Sequence, residues 1–374
     1  MVKRVFLVFL AVLLCFFSLF GCSTANKNKE TNTESRETET ITAPPPLPTS
    51  TEETPGDEKP VEKTIDLYFI AGQSNATGNT KINDLQALLQ FAPEAETGFS
   101  HVYYAGNSRA GGAGNLNRDR IIEWQKVTIG LGSRSDYIGP EVGIAKALSI
   151  YYNDESGLDA GIIKYAYNGS SLLNSTTGET HKDGNWVSPS YQKTLSPNDV
   201  VQNVTGQMYR NFLKQVETNI AQLKEYGGYT KVRVCGLYWM QGCANRYYPA
   251  EYETAFQYFA KDIRADLAEI MMNYTGDDDD DCGASNMPIV VGTISQTFCL
   301  TSGSVEAVNV AFINMQKGLA DKIDNCYVVD NSAYRITGWE SNKQVIYGSD
   351  QYHWNQTDML EIGRNVGNLM LRIS

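Results

Sequence analysis

The sequence predicts an α/β fold: a three-layer α/β/α sandwich around a five-stranded parallel sheet with flavodoxin-like strand order. Two observations predict it. Short apolar runs alternate with longer stretches of helical period, as in βαβ units. Right-handed crossovers between such strands place helices on both faces of the sheet. The strands are read at residues 65–71, 161–167, 232–239, 289–294 and 326–330, where apolar residues run almost without interruption. The helices are read at 141–152, 204–226, 256–270, 305–323 and 358–371. In the second of these, Met208, Phe212, Val216, Ile220 and Leu223 recur every three or four positions. The stretches 95–135 and 175–200 show no clear period and are rich in Gly, Ser and Asn. They are expected to be loops over one end of the sheet, where long loops are often functional.

The fold is expected to occupy residues 63–374. Residues 1–21 carry Lys3 and Arg4, then an apolar run, then Leu19-Phe20-Gly21-Cys22. This is a secretory signal pattern, and its end resembles a bacterial lipobox, which makes Cys22 the lipidated N-terminus of an exported cell-surface lipoprotein. The run is short for a spanning helix, and no second run of about 20 apolar residues follows. Residues 22–62 are rich in Thr, Glu, Lys, Asn and Pro and include Pro44-Pro45-Pro46. Such a composition buries too little apolar surface to offset the entropy of ordering, so it reads as a disordered linker.

The formal net charge is -12, which argues against a nucleic-acid partner. Export permits disulfides, but Cys235, Cys243, Cys282, Cys299 and Cys326 are odd in number. Their spacing does not resemble a zinc site, and they read first as small buried hydrophobes. The aspartates from Asp277 to Asp281 offer carboxylate oxygens but lack the interleaved spacing and glycine of a calcium loop. They read as a solvated turn, and neither metal nor cofactor is expected.

The first strand runs into Ala71-Gly72-Gln73-Ser74-Asn75. A serine on a tight turn after a strand can expose its hydroxyl as a nucleophile; a helix-capping serine fits the same position. The chain has three histidines, His101, His181 and His353. Asp350 precedes His353 by three residues, a spacing that in a turn brings carboxylate to imidazole while the other ring nitrogen faces a nucleophile. Incidental polar residues before a helix account for the same pattern. The second and third strands run into Asn168-Gly169-Ser170-Ser171-Leu172 and Gln241-Gly242-Cys243-Ala244-Asn245 at the same end of the sheet. A Gly N–H and a side-chain amide there can together cradle a tetrahedral oxyanion. Trp124, Tyr137, Trp186, Tyr247, Tyr248, Trp339 and Trp354 are either a platform for sugar rings or ordinary packing.

Taken in order, these blocks resemble the SGNH hydrolase superfamily, in particular carbohydrate esterase family six and the sialate O-acetylesterase-like proteins. The resemblance rests on Gly72-Gln73-Ser74-Asn75, Gly139-Pro140-Glu141, the run from Lys164 to Leu172, Trp239-Met240-Gln241-Gly242 and Asp350-x-x-His353, and covers about residues 65–370. It implies Ser74 as nucleophile, His353 as general base and acid, and Asp350 as its orienter. The implied oxyanion hole is the N–H groups of Ser74 and Gly169 with the Gln241 amide. Gln73, Asn75, Asn245 and Trp354, beside these residues, are expected to contact substrate. The implied partner is an acetylated carbohydrate, of acetyl-xylan or sialate type. Two positions depart from the family: Cys243 stands where Gln-Gly-Glu has its Glu, and Asn168 stands where Gly is common. A non-catalytic glycan-binding lipoprotein on the same scaffold is the alternative, and an esterase for longer acyl groups is a third reading.

Overall fold

The computed structural model describes residues 62–109, 116–174, 184–300, 303–336 and 350–374. The signal sequence, Cys22, the linker, His181 and Trp339 lie outside the described residues. Strand β1 (Thr64–Gly72) is the centre of a seven-stranded sheet. The others are β2 (Val102–Arg109), β3 (Leu116–Lys126), β4 (Asp159–Ala166), β5 (Lys231–Met240), β6 (Ile289–Gly292) and β7 (Cys326–Val329). Their order is β3-β2-β4-β1-β5-β6-β7, parallel throughout except for β3, which runs antiparallel to β2.

The five expected strands are β1, β4, β5, β6 and β7, and they take the flavodoxin-like order. The sheet is larger than expected because 95–135 is not a loop: it supplies β2 and β3, which extend one edge. The backbone groups of β2 pair with β4 on one side and β3 on the other, so this polar, glycine-containing stretch satisfies its hydrogen bonds as strand.

Side chains of β1 alternate between the two faces, as strand geometry requires. Ile65, Leu67, Phe69 and Ala71 enter one buried cluster, and Tyr68 and Ile70 enter the other. The first cluster is closed by α3 (Gln207–Ala221), α4 (Pro249–Thr275) and α5 (Gly303–Gly318), the second by α2 (Glu141–Leu148) and α6 (Gln356–Ile373). Three layers result. The helix expected over 204–226 breaks after Ala221, and a short helix, Leu223–Gly227, follows it.

The strand register sets the site. Gly72, the last residue of β1, pairs with Ala166 on β4 and Met240 on β5, so three strands end at one level. Gly72 has φ of 146°, and a Cβ there would overlap the Met240 carbonyl oxygen. Only glycine lets the chain turn this closely against its neighbour. Gln73 N donates to Met240 O at 3.1 Å and Tyr167 N to Gly72 O at 3.1 Å, locking the turn to both flanking strands.

Candidate active site

Ser74 opens α1 (Ser74–Thr77), a single helical turn leaving β1, and is buried apart from a small exposed remainder. As the first helical residue its N–H has no acceptor within the helix. Gly169, on the turn after β4, has φ of 68°, a left-handed conformation natural to glycine. These two N–H groups sit on the turns that leave adjacent strands at the same level.

His353 enters from the loop before α6. Its Nδ1 lies 2.7 Å from Asp350 Oδ2, while Asp350 Oδ1 accepts from the N–H groups of Tyr352 and His353 at 2.9 and 3.1 Å. Burial pushes the Asp350 carboxyl up. The hydrogen bond and charge of His353 and the two backbone donors outweigh burial and hold it below the usual carboxylate range. An ionised Asp350 favours the tautomer with hydrogen on Nδ1, which leaves Nε2 as acceptor. Nε2 lies 3.4 Å from Asn79 Nδ2, whose backbone N–H donates to Ser74 O at 3.2 Å. Nε2 is thus turned towards the segment that begins with the serine.

Asn75 ties the same two segments. Its Nδ2 donates to Tyr352 O and its Oδ1 accepts from Trp354 N, each at 3.3 Å, so it grips the chain on both sides of His353. Thr80 Oγ1 donates to Trp354 O at 2.9 Å. The Asn75 amide therefore has a bracing role where substrate contact was expected.

Four further expectations, for Gln241, Asn245, Trp354 and Gln73, are corrected by burial and hydrogen bonding. Gln241 Nε2 donates to Ser170 O at 3.1 Å and to Asn245 Oδ1 at 2.7 Å, so both amide hydrogens are already engaged within the protein. Asn245 Oδ1 accepts also from Leu172 N, which fills that oxygen, and its Nδ2 donates to Ser171 Oγ, so the amide is tied into the turns. Trp354 is 2% exposed and belongs to the α2–α6 core, so it packs and does not face substrate. Gln73 Oε1 accepts from Gly242 N and Ala244 N at 3.2 Å, clamping the third turn to the first. Together Gln73, Gln241 and Asn245 shape the turns that carry Ser74 and Gly169.

Cys243, in place of the family's Glu, is buried among apolar side chains, and burial pushes its thiol up to about 12. It is a small hydrophobe here and no nucleophile. All five described cysteines are free thiols, with Cys235 and Cys326 buried on β5 and β7.

Sequence reasoning missed two features. One is Asn79, whose contact with His353 spans 274 positions and leaves no local signal. The other is a buried ion pair under α1. Lys164 Nζ lies 2.9 Å from Glu141 Oε2 and donates to Thr77 O and Leu131 O, while Glu141 Oε1 accepts from Gly139 N at 2.8 Å. Both residues had been noted as family motifs, but one sequence cannot show that they meet.

A three-layer sandwich with a serine on the turn after its central strand, joined through Asn75 and Asn79 to a loop that carries an Asp–His pair, is the framework of a carboxylic ester hydrolase. The family model described as carbohydrate esterase, sialic acid-specific acetylesterase matches residues 64–372, and the chain belongs to that family. No curated protein matches the sequence. Among solved structures, the chain is similar to NanS, with 13% identity, 83% of this chain and 98% of that chain covered, and a TM-score of 0.51. A protein from Arabidopsis thaliana is 13% identical over 82% of this chain and 98% of that one, with a TM-score of 0.44. A carbohydrate acetylesterase from Xanthomonas citri is 13% identical over 82% of this chain and 55% of that one, with a TM-score of 0.40. At 13% identity the likeness to NanS is one of fold alone.

Proposed function

We propose that the protein is a carbohydrate O-acetylesterase acting through an acyl-enzyme on Ser74. The observation that carries this reading is the Asp350–His353 contact of 2.7 Å, with His353 Nε2 turned towards the segment that opens at Ser74. His353 takes the Ser74 proton as Oγ attacks the acetyl carbonyl. The N–H groups of Ser74 and Gly169 receive the oxyanion. The C–O bond to the sugar breaks, and His353 returns the proton to the leaving alcohol. Water, activated by the same imidazole, then releases acetate and restores Ser74. Asp350 stays ionised and steadies the imidazolium. The family description points to an O-acetylated sialic acid or a related acetylated glycan as substrate.

The test is hydrolysis of 4-nitrophenyl acetate, acetylated xylan and O-acetylated sialic acid by the purified chain. Ser74→Ala should lose about 10,000-fold or more in kcat on whichever ester is turned over. Equal rates for wild type and Ser74→Ala would overturn the mechanism. The engaged Gln241 amide favours a second reading, a glycan-binding protein without catalysis; binding of these glycans with no acetate release by wild type selects it.

The chain is further proposed to be exported and held at the cell surface by lipid on Cys22, with residues 22–62 as tether. No described helix is long and apolar enough to cross a membrane. Mass spectrometry of the N-terminal peptide from cells should find a diacylglyceryl group on Cys22; an unmodified peptide that still carries Met1 would reject this.

A further inference from the structure

Of the tryptophans singled out as candidates for a sugar platform, the described ones, Trp124, Trp186 and Trp354, are all buried. Among the described residues, the exposed rings at this end of the sheet are tyrosines. Tyr352, next to His353, is 51% exposed, and Tyr247, at the turn after β5, is 53% exposed. They are joined by a continuous stack. The Tyr352 ring meets Phe298 edge-on at 5.8 Å between centroids. Phe298 lies 5.1 Å from the Arg246 guanidinium, which in turn lies 4.4 Å from the Tyr247 ring. The stack is braced. Arg246 donates to Cys243 O at 3.0 Å and to the Tyr247 hydroxyl at 3.1 Å, and Cys299 N donates to Gln351 O at 2.9 Å. The outer rings are thus held by their inner neighbours and still leave about half their surface in water.

We propose that Tyr352 and Tyr247 form a stacking subsite for the apolar face of a pyranose ring one or more units away from the acetylated sugar. This rests on the carbohydrate reading above and adds that the substrate is an oligosaccharide or glycan chain. The chemistry of the wall fits that ligand. A pyranose presents C–H groups on its faces and hydroxyls on its rim, and an ordered, half-exposed aromatic ring with a polar tip complements both. What sets these two rings apart from other exposed tyrosines is their place: they form one connected, half-exposed wall beside the His353 loop. Tyr352 sets the direction: its carbonyl is held by Asn75 and its neighbour is His353, so a sugar on it lies beside the reacting ester. The cation behind Tyr247 and Phe298 keeps the wall rigid, which lowers the cost of ordering it on binding.

The experiment compares wild type with Tyr247→Ala, Tyr352→Ala and the ring-keeping Tyr247→Phe and Tyr352→Phe. The probes are acetylated xylohexaose, O-acetylated sialyllactose, acetylated chitopentaose and 4-nitrophenyl acetate. Binding of the three deacetylated oligosaccharides is measured by calorimetry in parallel. We expect each Ala variant to raise KM on the best oligosaccharide about 10-fold, with little change in kcat. The Phe variants should restore it, and the effect on 4-nitrophenyl acetate should be several-fold smaller. Equal losses on the sugar ester and on 4-nitrophenyl acetate would make the tyrosines supports of the His353 loop and overturn the subsite. So would acetate release from the oligosaccharides that is indifferent to both tyrosines, or failure of every oligosaccharide to bind. Tyrosine-dependent binding without any ester hydrolysis would uphold the subsite and reject the esterase reading.

Discussion

Asp350→Asn should lower kcat on an acetyl ester by about 10,000-fold while KM changes little. The substitution separates chemistry from architecture. Asp350 Oδ1 accepts the N–H groups of Tyr352 and His353, and an Asn carbonyl oxygen in the same place keeps both bonds. What changes is the partner of His353 Nδ1. An amide NH2 at the Oδ2 position donates where the carboxylate accepts, so the ring takes the tautomer with hydrogen on Nε2. The nitrogen turned towards α1 can then no longer take a proton from Ser74. The imidazolium also loses its counter-charge. Steady-state kinetics on 4-nitrophenyl acetate, with circular dichroism to show that the loop and fold persist, checks the result; a loss below about 10-fold would make Asp350 a builder of the loop and nothing more. The carboxyl carries a pH signature as well. It is held below its ordinary value in the folded chain, so its contribution to stability is complete above the unfolded value near about 3.9. That contribution disappears as pH falls through the folded value. Wild type should therefore lose stability in acid more steeply than Asp350→Asn, and the two should run parallel at neutral pH.

How much of this was legible from the sequence depends on how local each feature is. Asp350 and His353 are three residues apart, and the Ser74 turn follows directly on a buried strand, so both could be read from short windows. β1, β4, β5 and β6 were legible because they lie inside the sheet and are buried on both faces, and β7, at the far edge, because its residues Cys-Tyr-Val-Val are apolar even though only partly buried. β3 was not: its sequence, Leu-Asn-Arg-Asp-Arg-Ile-Ile-Glu-Trp-Gln-Lys, is that of an edge strand with one neighbour, and its polar residues mimic a loop. The roles of the polar residues around Ser74 failed for a different reason. Gln73, Asn75, Gln241 and Asn245 are amides on turns at the right end of the sheet. Whether such an amide faces substrate or clasps a neighbouring turn depends on partners far along the chain, Gly242 and Ala244 for Gln73 and Tyr352 and Trp354 for Asn75. Trp354 shows the same limit for an aromatic, since its closeness to His353 in sequence says nothing about which way the ring points.

Lys164→Met should destabilise the fold by about 3–5 kcal/mol, because it leaves Glu141 charged and alone in the interior. Both side chains are fully buried, with relative exposures of 1% and 0%. Burial pulls the Lys164 ammonium down from its ordinary value, and the charge and hydrogen bond of Glu141 oppose that pull. The three ammonium hydrogens are matched to three acceptors: Glu141, the Thr77 carbonyl and the Leu131 carbonyl. Methionine fills most of the volume and makes none of these bonds. The double variant Lys164→Met, Glu141→Leu removes both charges and should recover more than half of the loss. Its deficit would then be the orphaned carbonyls of Thr77 and Leu131 and the N–H of Gly139. Urea unfolding of the two single variants and the double variant gives the coupling directly. Additive losses would show that the charges do not depend on each other. The pair also reaches the chemistry, because Thr77 is the last residue of α1 and Ser74 the first. A cation that fixes one end of a single helical turn also fixes Ser74, the proposed nucleophile, at the other end. The double variant, though folded, should therefore remain below wild type in kcat by about 10-fold or more, since small displacements of a reacting group are costly. Full activity at restored stability would confine Lys164 and Glu141 to the fold.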